Sequence, residues 1–416
     1  MKKSLFLATS ALLVSALAGC AQSEPDIYIL QNKPEIDTQL QAFAKVFEGK
    51  SNLKLKVVSC GGSSCSLGTQ LQADIAAGET PDIFVIDGLS AYNQYKDLIL
   101  DVTGEAWTND TDLAFKVGGR AYGFPVAVEG WGMAYNADLL QKAGIDPKTL
   151  NNYSSYKAAF EKLDGMKSTL GIDSVVSMAA SSGMSWVTRD HNVNSLLAAG
   201  LPYGDLSVTN ALAAGTVDAS RLNQYANWVE LLFKYANPSV LLAGDYDAQV
   251  GAFANQKAVF LHQGNWVEPN LKNANATFKR GYAPHGTLDA VTDGIFVSAP
   301  TWYVIHKGSK NVQAAKDYLN FLASSPEGHD YMVNQIGAIP AFKSVKIQPS
   351  APLSVAVLEW VAAGKIYSWN QYNLEGTFRE NTLGPIYTTF ATNVAQANAK
   401  TQFIAAMKAA FESLKK

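Results

Sequence analysis

Aromatic side chains that stand next to amide residues are the features of this sequence that could bind a ligand. Asn265 and Trp266 follow a glycine, and the segment 367–373 carries Trp369 and Tyr372 among three amides. An aromatic ring offers a flat apolar surface, while a neighbouring amide or carboxylate hydrogen-bonds to hydroxyl groups. This combination is typical of a binding site for a neutral, hydroxyl-rich ligand.

Three further residues are candidates, and two of them have a second interpretation. Trp186 is flanked by polar residues, which favours a cleft over a core. Trp302, at the start of a predicted strand, faces either a cleft or the core. Arg379 either clamps a pair of ligand hydroxyls or pairs with a surface carboxylate, a contact that contributes little energy. We interpret the other tryptophans as structural: Trp107, Trp131, Trp228 and Trp360.

The sequence indicates no cofactor and no metal site. Its five histidines are scattered and show no zinc-binding spacing, and no nucleophile elbow or phosphate-binding loop occurs. Cys60 and Cys65 flank a pair of glycines, and a zinc site there would need two further ligands. Outside the cytoplasm such a close pair is typical of a disulfide-closed loop.

The N-terminus has the layout of an export signal. Lys2 and Lys3 precede an apolar run over 5–17, which is too short to cross a bilayer as a helix. The run ends in Leu-Ala-Gly-Cys, which resembles the bacterial lipobox, whose cysteine carries lipid. We therefore expect a lipoprotein signal peptide over 1–19, lipidation of Cys20 and a tether over 20–25. The alternative is an ordinary secretory peptide with a chance cysteine.

Composition narrows the class of ligand. The 416 residues are 48% hydrophobic and carry a net charge of -3, with no basic cluster that could meet nucleic-acid phosphates. Disorder is excluded for most of the chain. The high aromatic content beside a low charge suits a neutral ligand.

Short strands and helices alternate at the start of the chain. Predicted strands at 26–30, 53–58 and 82–86 are separated by helical patterns, which indicates a mostly parallel sheet. Ligands bind at the carboxyl ends of such strands, so Asp87 and Tyr92 are candidates. Asp87 has the alternative role of a helix N-cap. Later segments run from helix to strand and back to helix, which predicts an α/β fold of two lobes with a hinged cleft.

Several short motifs occur in an order typical of one family. They are 81–84, 123–125 leading into Glu129, 135–140, 144–145, 264–266 and 311–322. In this order, and with the lipobox, the chain resembles extracellular solute-binding proteins of the maltose-binding-protein-like class, which serve sugar ABC transporters. The resemblance covers essentially all of the mature chain.

The resemblance implies a periplasmic-binding-protein-like fold with three crossings, placed near Ala127, Leu261 and Asn311. The N-terminal lobe is then 26–127 and 262–310, and the C-terminal lobe is 128–261 and 311–416. It further implies that Trp266 stacks on sugar and that Glu129 is a hydroxyl-binding hinge carboxylate, although a solvated salt bridge is the alternative for Glu129.

The family implies a monomeric binding protein, not an enzyme, that is lipid-anchored to the cell membrane and delivers a carbohydrate to ABC transporter permease subunits. Two other hypotheses remain. A secreted glycoside hydrolase would use similar aromatic platforms with two opposed carboxylates. The same fold could instead bind a polyamine or iron, although the balance of aromatics and amides favours a neutral sugar.

Overall fold

The computed structural model describes residues 25–61 and 65–415. The predicted signal peptide, Cys20 and all of the tether except Pro25 lie outside the described residues. Among the helices in the described ranges, none is both long and apolar enough to cross a membrane.

Thirteen strands lie in the described residues. They are β1 Ile27–Gln31, β2 Leu55–Ser59, β3 Ile83–Ile86, β4 Phe115–Val117, β5 Arg120–Pro125, β6 Glu129–Trp131, β7 Met133–Asn136, β8 Ser174–Ser177, β9 Ala258–Leu261, β10 Arg280–Ala283, β11 Ile295–Ser298, β12 Trp302–Ile305 and β13 Ile366–Tyr367.

The described residues also form eighteen α-helices. They are α1 Asp37–Ser51, α2 Leu67–Ala77, α3 Leu89–Tyr95, α4 Ala137–Lys142, α5 Tyr153–Gly165, α6 Lys167–Leu170, α7 Val193–Ala198, α8 Ser207–Ala213, α9 Ala219–Lys234, α10 Pro238–Ala243, α11 Tyr246–Ala254, α12 Glu268–Asn273, α13 Val312–Ser324, α14 Pro326–Asp330, α15 Pro352–Ala362, α16 Gly376–Phe378, α17 Gly384–Asn393 and α18 Ala399–Glu412. Turns of π-helix occupy Val187–Asn192, Tyr331–Gln335 and Arg379–Leu383.

The first sheet has the strand order β2-β1-β3-β12-β5-β4. Strands β1, β2 and β3 are parallel, and helices α1 and α2 connect them, so the predicted βαβαβ start is confirmed. Helix α2 ends at Gly78 in the left-handed conformation, where glycine carries no steric cost. Two apolar cores cover the faces of this sheet, one of them under α1.

The second lobe contains two smaller sheets, β10-β7-β9-β8 and β13-β11-β6. One large core joins them to the surrounding helices. Its largest contributor among the helices is α9, which begins at the N-cap Asp218 and buries Trp228 completely. The structural roles predicted for Trp107, Trp131 and Trp228 agree with exposures of 3%, 1% and 0%.

The packing differs from the expected lobe boundaries in two segments. Strands β10 and β11 pair with β7 and β6, so most of 262–298 lies in the second lobe. Helix α13 packs in the first lobe, where Tyr318 contacts Phe43 and Phe47 at ring distances of 5.8 and 5.3 Å. We therefore propose a first lobe of 25–125 and 302–347, and a second lobe of 129–298 and 352–415.

In this proposed division the three crossings are 126–128, 299–301 and 348–351. The first two run side by side, because the amide of Val126 donates to the carbonyl of Thr301 at 3.1 Å. This proposed division moves the crossings away from the expected positions near Leu261 and Asn311. Leu261 ends an internal strand and pairs with Ala134, and Asn311 precedes a helix that packs wholly on the first lobe.

Candidate functional site

A cavity of about 680 Å³ lies between the two lobes. Three crossing-side residues, Glu129, Pro300 and Thr301, form part of its lining. Other lining residues from the first lobe include Lys33, Glu35, Cys60, Gln72, Asp87, Ser90 and Gln94. Those from the second lobe include Trp186, Arg189, Asp190, His191, Tyr246, Trp266, Trp369, Tyr372 and Arg379.

The first-lobe wall follows from strand direction. Strands β1, β2 and β3 are parallel, so their carboxyl ends meet at one edge of the sheet. Lys33, Cys60 and Asp87 follow these three strands closely, and all three line the cavity. Helix α3 begins after Gly88, whose φ is +118°, and no side chain caps it. Asp87 is therefore not the N-cap of α3.

The second-lobe wall is a cluster of aromatic rings. Trp369 lies 6.1 Å from both Trp266 and Tyr372, measured between ring centres. His191 stands among the tryptophans, with ring distances of 5.2 Å to Trp186, 5.0 Å to Trp266 and 5.5 Å to Trp369. The structure thus brings together four of the six aromatic residues that the sequence predicted for a site: Trp186, Trp266, Trp369 and Tyr372.

These rings present carbon rather than nitrogen to the cavity. The Nε1 of Trp266 donates to Oε1 of Gln263 at 3.0 Å, and the Nε1 atoms of Trp186 and Trp369 are buried. A Cβ at Gly264 would lie 1.9 Å from the ring of Trp266, so only glycine allows the ring this position. The wall is therefore suited to stacking on an apolar ligand face.

Charges at the crossing side of the cavity form a buried triad. The Nζ of Lys33 pairs closely with Glu129 and lies 3.9 Å from Oε1 of Glu35. Burial lowers the pKa of Lys33, but the two carboxylates Glu129 and Glu35 together more than offset this and leave the pKa raised. Burial raises the pKa of Glu35 to about 7. Glu129 is thus engaged in a buried ion pair rather than a solvated one.

A second charged cluster lies where 87–90 of the first lobe meets the segment 371–379. The Nη1 of Arg379 pairs closely with Asp190, and its Nη2 lies 3.7 Å from Oδ2 of Asp87. Asp190 also accepts a hydrogen bond from Nη1 of Arg189 at 3.4 Å. Although burial raises the pKa of Asp190, the two guanidinium groups hold it below its ordinary value. The close partner of Arg379 is therefore the buried carboxylate of Asp190 rather than an exposed surface carboxylate.

Three of the predicted site residues do not line this cavity. Trp302 donates from Nε1 to the carbonyl of Leu113 at 2.7 Å and packs against an apolar cluster of the first sheet. Tyr92 is buried in the same apolar cluster. Asn265 lies behind the wall, where its Oδ1 accepts from the amide of Gly130 at 2.9 Å. It supports the position of Trp266 from the crossing side.

Three histidines are buried at the aromatic wall: His191 lies within it, and His262 and His285 lie behind it. Rings of His262 and His285 are 5.0 Å apart, and both contact Trp131. Burial lowers the pKa of His191 to about 3 and of His262 to about 4, and it lowers the pKa of His285 well below its ordinary value. Within residues 25–61 and 65–415, no group of His, Cys, Asp and Glu gathers that could hold a metal ion.

Cys60 and Cys65 form a disulfide with a Cα to Cα distance of 5.0 Å. Both half-cystines line the cavity. Sequence reasoning missed other members of the wall, namely Lys33, Glu35, Asp190, His191 and Tyr246. Lys33 and Glu35 could have been predicted from their position just after β1, because they lie at the same edge of the sheet as Asp87.

Known proteins share both the sequence pattern and the fold. The family described as bacterial extracellular solute-binding protein matches residues 42–356. The multiple sugar-binding protein of Streptococcus mutans is 24% identical, over 93% of each chain. The maltodextrin-binding protein MdxE of Bacillus subtilis is 23% identical, over 86% of each chain. A sugar transporter structure from Bacillus licheniformis in complex with stachyose has a TM-score of 0.73 at 18% identity, covering 93% of this chain and 99% of the other.

Proposed function

This chain belongs to the family of bacterial extracellular solute-binding proteins, and we propose that it captures a carbohydrate in the interlobe cavity. The observation that carries the proposal is the wall of Trp186, Trp266, Trp369 and Tyr372 in a cleft whose charges are largely paired with one another. A pyranose ring has apolar C–H faces that stack on such rings. Because Lys33 and Arg379 are neutralised, the cleft suits a neutral ligand.

The cavity is large enough to hold an oligosaccharide. Its volume of about 680 Å³ lies well inside the range for ligand pockets, roughly 300 to 1,000 Å³. Glu129 and Asp190 offer acceptor oxygens beside the rings, and hydroxyls supply the matching donors. The relatives named above, a multiple sugar-binding protein and a maltodextrin-binding protein, support the same class of ligand.

We further propose that the protein is a monomeric, non-enzymatic lipoprotein, anchored through Cys20, that delivers its ligand to ABC transporter permease subunits. The sequence motif around Cys20 and the family support this placement. Lobe closure around the ligand would shift an open and closed equilibrium by the additional contacts of the closed state.

A thermal-shift screen tests the ligand class. The chain without its first 23 residues is heated with mono- and oligosaccharides, spermidine and ferric salts. A ligand at a hundredfold excess over its Kd stabilises the folded state by roughly 2.7 kcal/mol. We expect stabilisation by one group of oligosaccharides and no sugar cleavage on long incubation.

Other outcomes of the screen would contradict the proposal in distinct ways. Stabilisation by spermidine or iron alone would leave the fold assignment intact and contradict the assignment of a carbohydrate ligand. Cleavage of a bound oligosaccharide would favour the glycoside hydrolase. The Trp266→Ala and Glu129→Gln variants complete the test, because an unchanged affinity in both would remove the assignment of the site.

A further inference from the structure

The two lobes touch directly at a point away from the crossing segments. The amide of Gly376 in the second lobe donates to Oγ of Ser90 in the first lobe at 3.1 Å. Close by, a Cβ at Gly88 would lie 3.1 Å from Cβ of Tyr372. Gly88 has a positive φ of +118°, so this close approach of the lobes depends on glycine. We name the contact between 87–90 and 371–379 the flank contact.

Arg379 lies at the centre of the flank contact and is committed to protein partners. Its side chain is only 4% exposed. The Nη1 pairs with Asp190, the Nε donates to the carbonyl of Leu374 at 3.3 Å, and the guanidinium stands 5.0 Å from the centre of the Tyr372 ring. The remaining nitrogen, Nη2, is directed to Asp87 of the opposite lobe.

We propose that Arg379 is a positioning residue that holds Tyr372 in the cleft wall and, through Asp87, favours the closed arrangement of the lobes. This inference rests on the proposed function, in which the lobes close on a ligand. In this role Arg379 links the position of the aromatic wall to closure of the lobes, and it does not bind ligand hydroxyls directly.

The two carboxylate partners of Arg379 have different roles, one in holding the arginine within its lobe and the other in closure. Asp190 is in the same lobe and its side chain is 10% exposed, so its pairing fixes the arginine within the second lobe. Asp87 is in the other lobe and its side chain is 37% exposed. A partly exposed pair contributes modestly and is screened by salt. Asp87→Asn therefore weakens closure while the wall and the fold remain.

Hydrogen exchange of the ligand-free full chain tests closure without requiring any sugar. In Asp87→Asn we expect amides in both 87–95 and 371–379 to exchange roughly two- to fivefold faster, because both sides of the flank contact open together. Asp87→Glu should restore slower exchange. Asp112→Asn is the matched control, since Asp112 forms an exposed pair with Lys343 inside the first lobe. Unchanged exchange in Asp87→Asn, or acceleration on one side only, would overturn the proposal.

Binding of stachyose or maltotriose gives the second readout. The Kd of the wild type should rise with NaCl, and Asp87→Asn should have a Kd roughly two- to fivefold higher at low salt that is nearly salt-independent. If Asp87 instead accepted a hydrogen bond directly from a neutral sugar, the loss of that bond in Asp87→Asn would weaken binding equally at low and high salt. If neither sugar binds but exchange accelerates on both sides, the coupling stands and the ligand class fails. If a sugar binds and exchange is unchanged, the ligand class stands and the coupling through Asp87 fails.

Discussion

The Nζ of Lys33 lies 5.9 Å from the ring centre of Trp266, and the two residues belong to opposite lobes. Lys33 is held there by its pair with Glu129, at the side of the cavity where the chain crosses between the lobes. A cation near the face of an indole ring contributes about 0.5–2 kcal/mol, depending on how far the contact is desolvated. This contact with Lys33 of the first lobe therefore helps to hold the ring of Trp266 in its orientation.

Replacing Trp266 with alanine should weaken carbohydrate binding strongly. A tryptophan at the centre of a binding surface typically contributes at least about 2 kcal/mol, which is roughly a thirtyfold increase in Kd. Isothermal titration with the sugar identified by the thermal-shift screen measures the change. Trp302→Phe is the matched control, because Trp302 does not line the cavity and its loss should leave Kd within about twofold. Equal effects of the two variants would contradict the site.

Local sequence patterns predicted the start of the fold and much of the aromatic wall. The alternation of strand and helix up to Ile86 depends on neighbours in sequence, so it could be read directly. Trp369 and Tyr372 stood out because amides surround them, a pattern that a core strand does not carry.

Features that depend on partners remote in sequence could not be predicted. The apolar sequence of β9 is compatible both with a crossing segment and with a strand inside a sheet. Only the pairing of β9 with β7 shows that Leu261 lies inside a sheet. Lys33 and Asp190 read as exposed charges, because their partners Glu129 and Arg379 are remote in sequence. Trp302 has the pattern of a cleft or a core residue alike, and its bond to the carbonyl of Leu113 resolves the choice.

Glu35→Gln should stabilise the protein at high pH. Burial raises the pKa of Glu35 from 4.5 to about 7, so between these values the folded chain keeps a proton that the unfolded chain has lost. The free energy of unfolding therefore falls as the pH rises through this window, by up to about 3 kcal/mol. Urea unfolding of the wild type and Glu35→Gln should agree most closely near pH 4.5 and diverge by pH 8. The exposed substitution Glu161→Gln should show no such divergence.

The buried histidines should make the protein sensitive to acid. His191, His262 and His285 remain neutral in the folded state well below the pH of about 6.5 at which an unfolded histidine gains its proton. Below that pH the unfolded chain binds more protons, so the free energy of unfolding falls by up to about 1.4 kcal/mol per pH unit for each histidine.

The variant His285→Gln separates this titration from packing. Its loss of stability at pH 8 measures packing alone, because every histidine is then neutral in both states. Between pH 6 and pH 5, its free energy of unfolding should fall by about 1.2 kcal/mol less than that of the wild type. A variant with an unchanged slope would show that His285 gains a proton in the folded state.

The buried pair of Glu268 and Arg280 should be important for the stability of the second lobe. The Nη2 of Arg280 lies 2.7 Å from Oε2 of Glu268, and the side chains are 5% and 4% exposed. Glu268 also accepts from the amide of Leu353 at 2.6 Å, so one carboxylate joins α12, β10 and α15. Glu268→Gln leaves the arginine as a buried charge without its counter-ion, a change that costs about 3–5 kcal/mol.

Chemical unfolding compares this variant with Glu161→Gln, which breaks an exposed pair with Lys157 and should cost no more than about 0.5 kcal/mol. The double variant Glu268→Leu with Arg280→Met should recover part of the loss, because no charge is then left alone in the core. If the double variant is as unstable as the sum of two separate losses, the pair contributes through packing and the bond to Leu353 rather than through its charges.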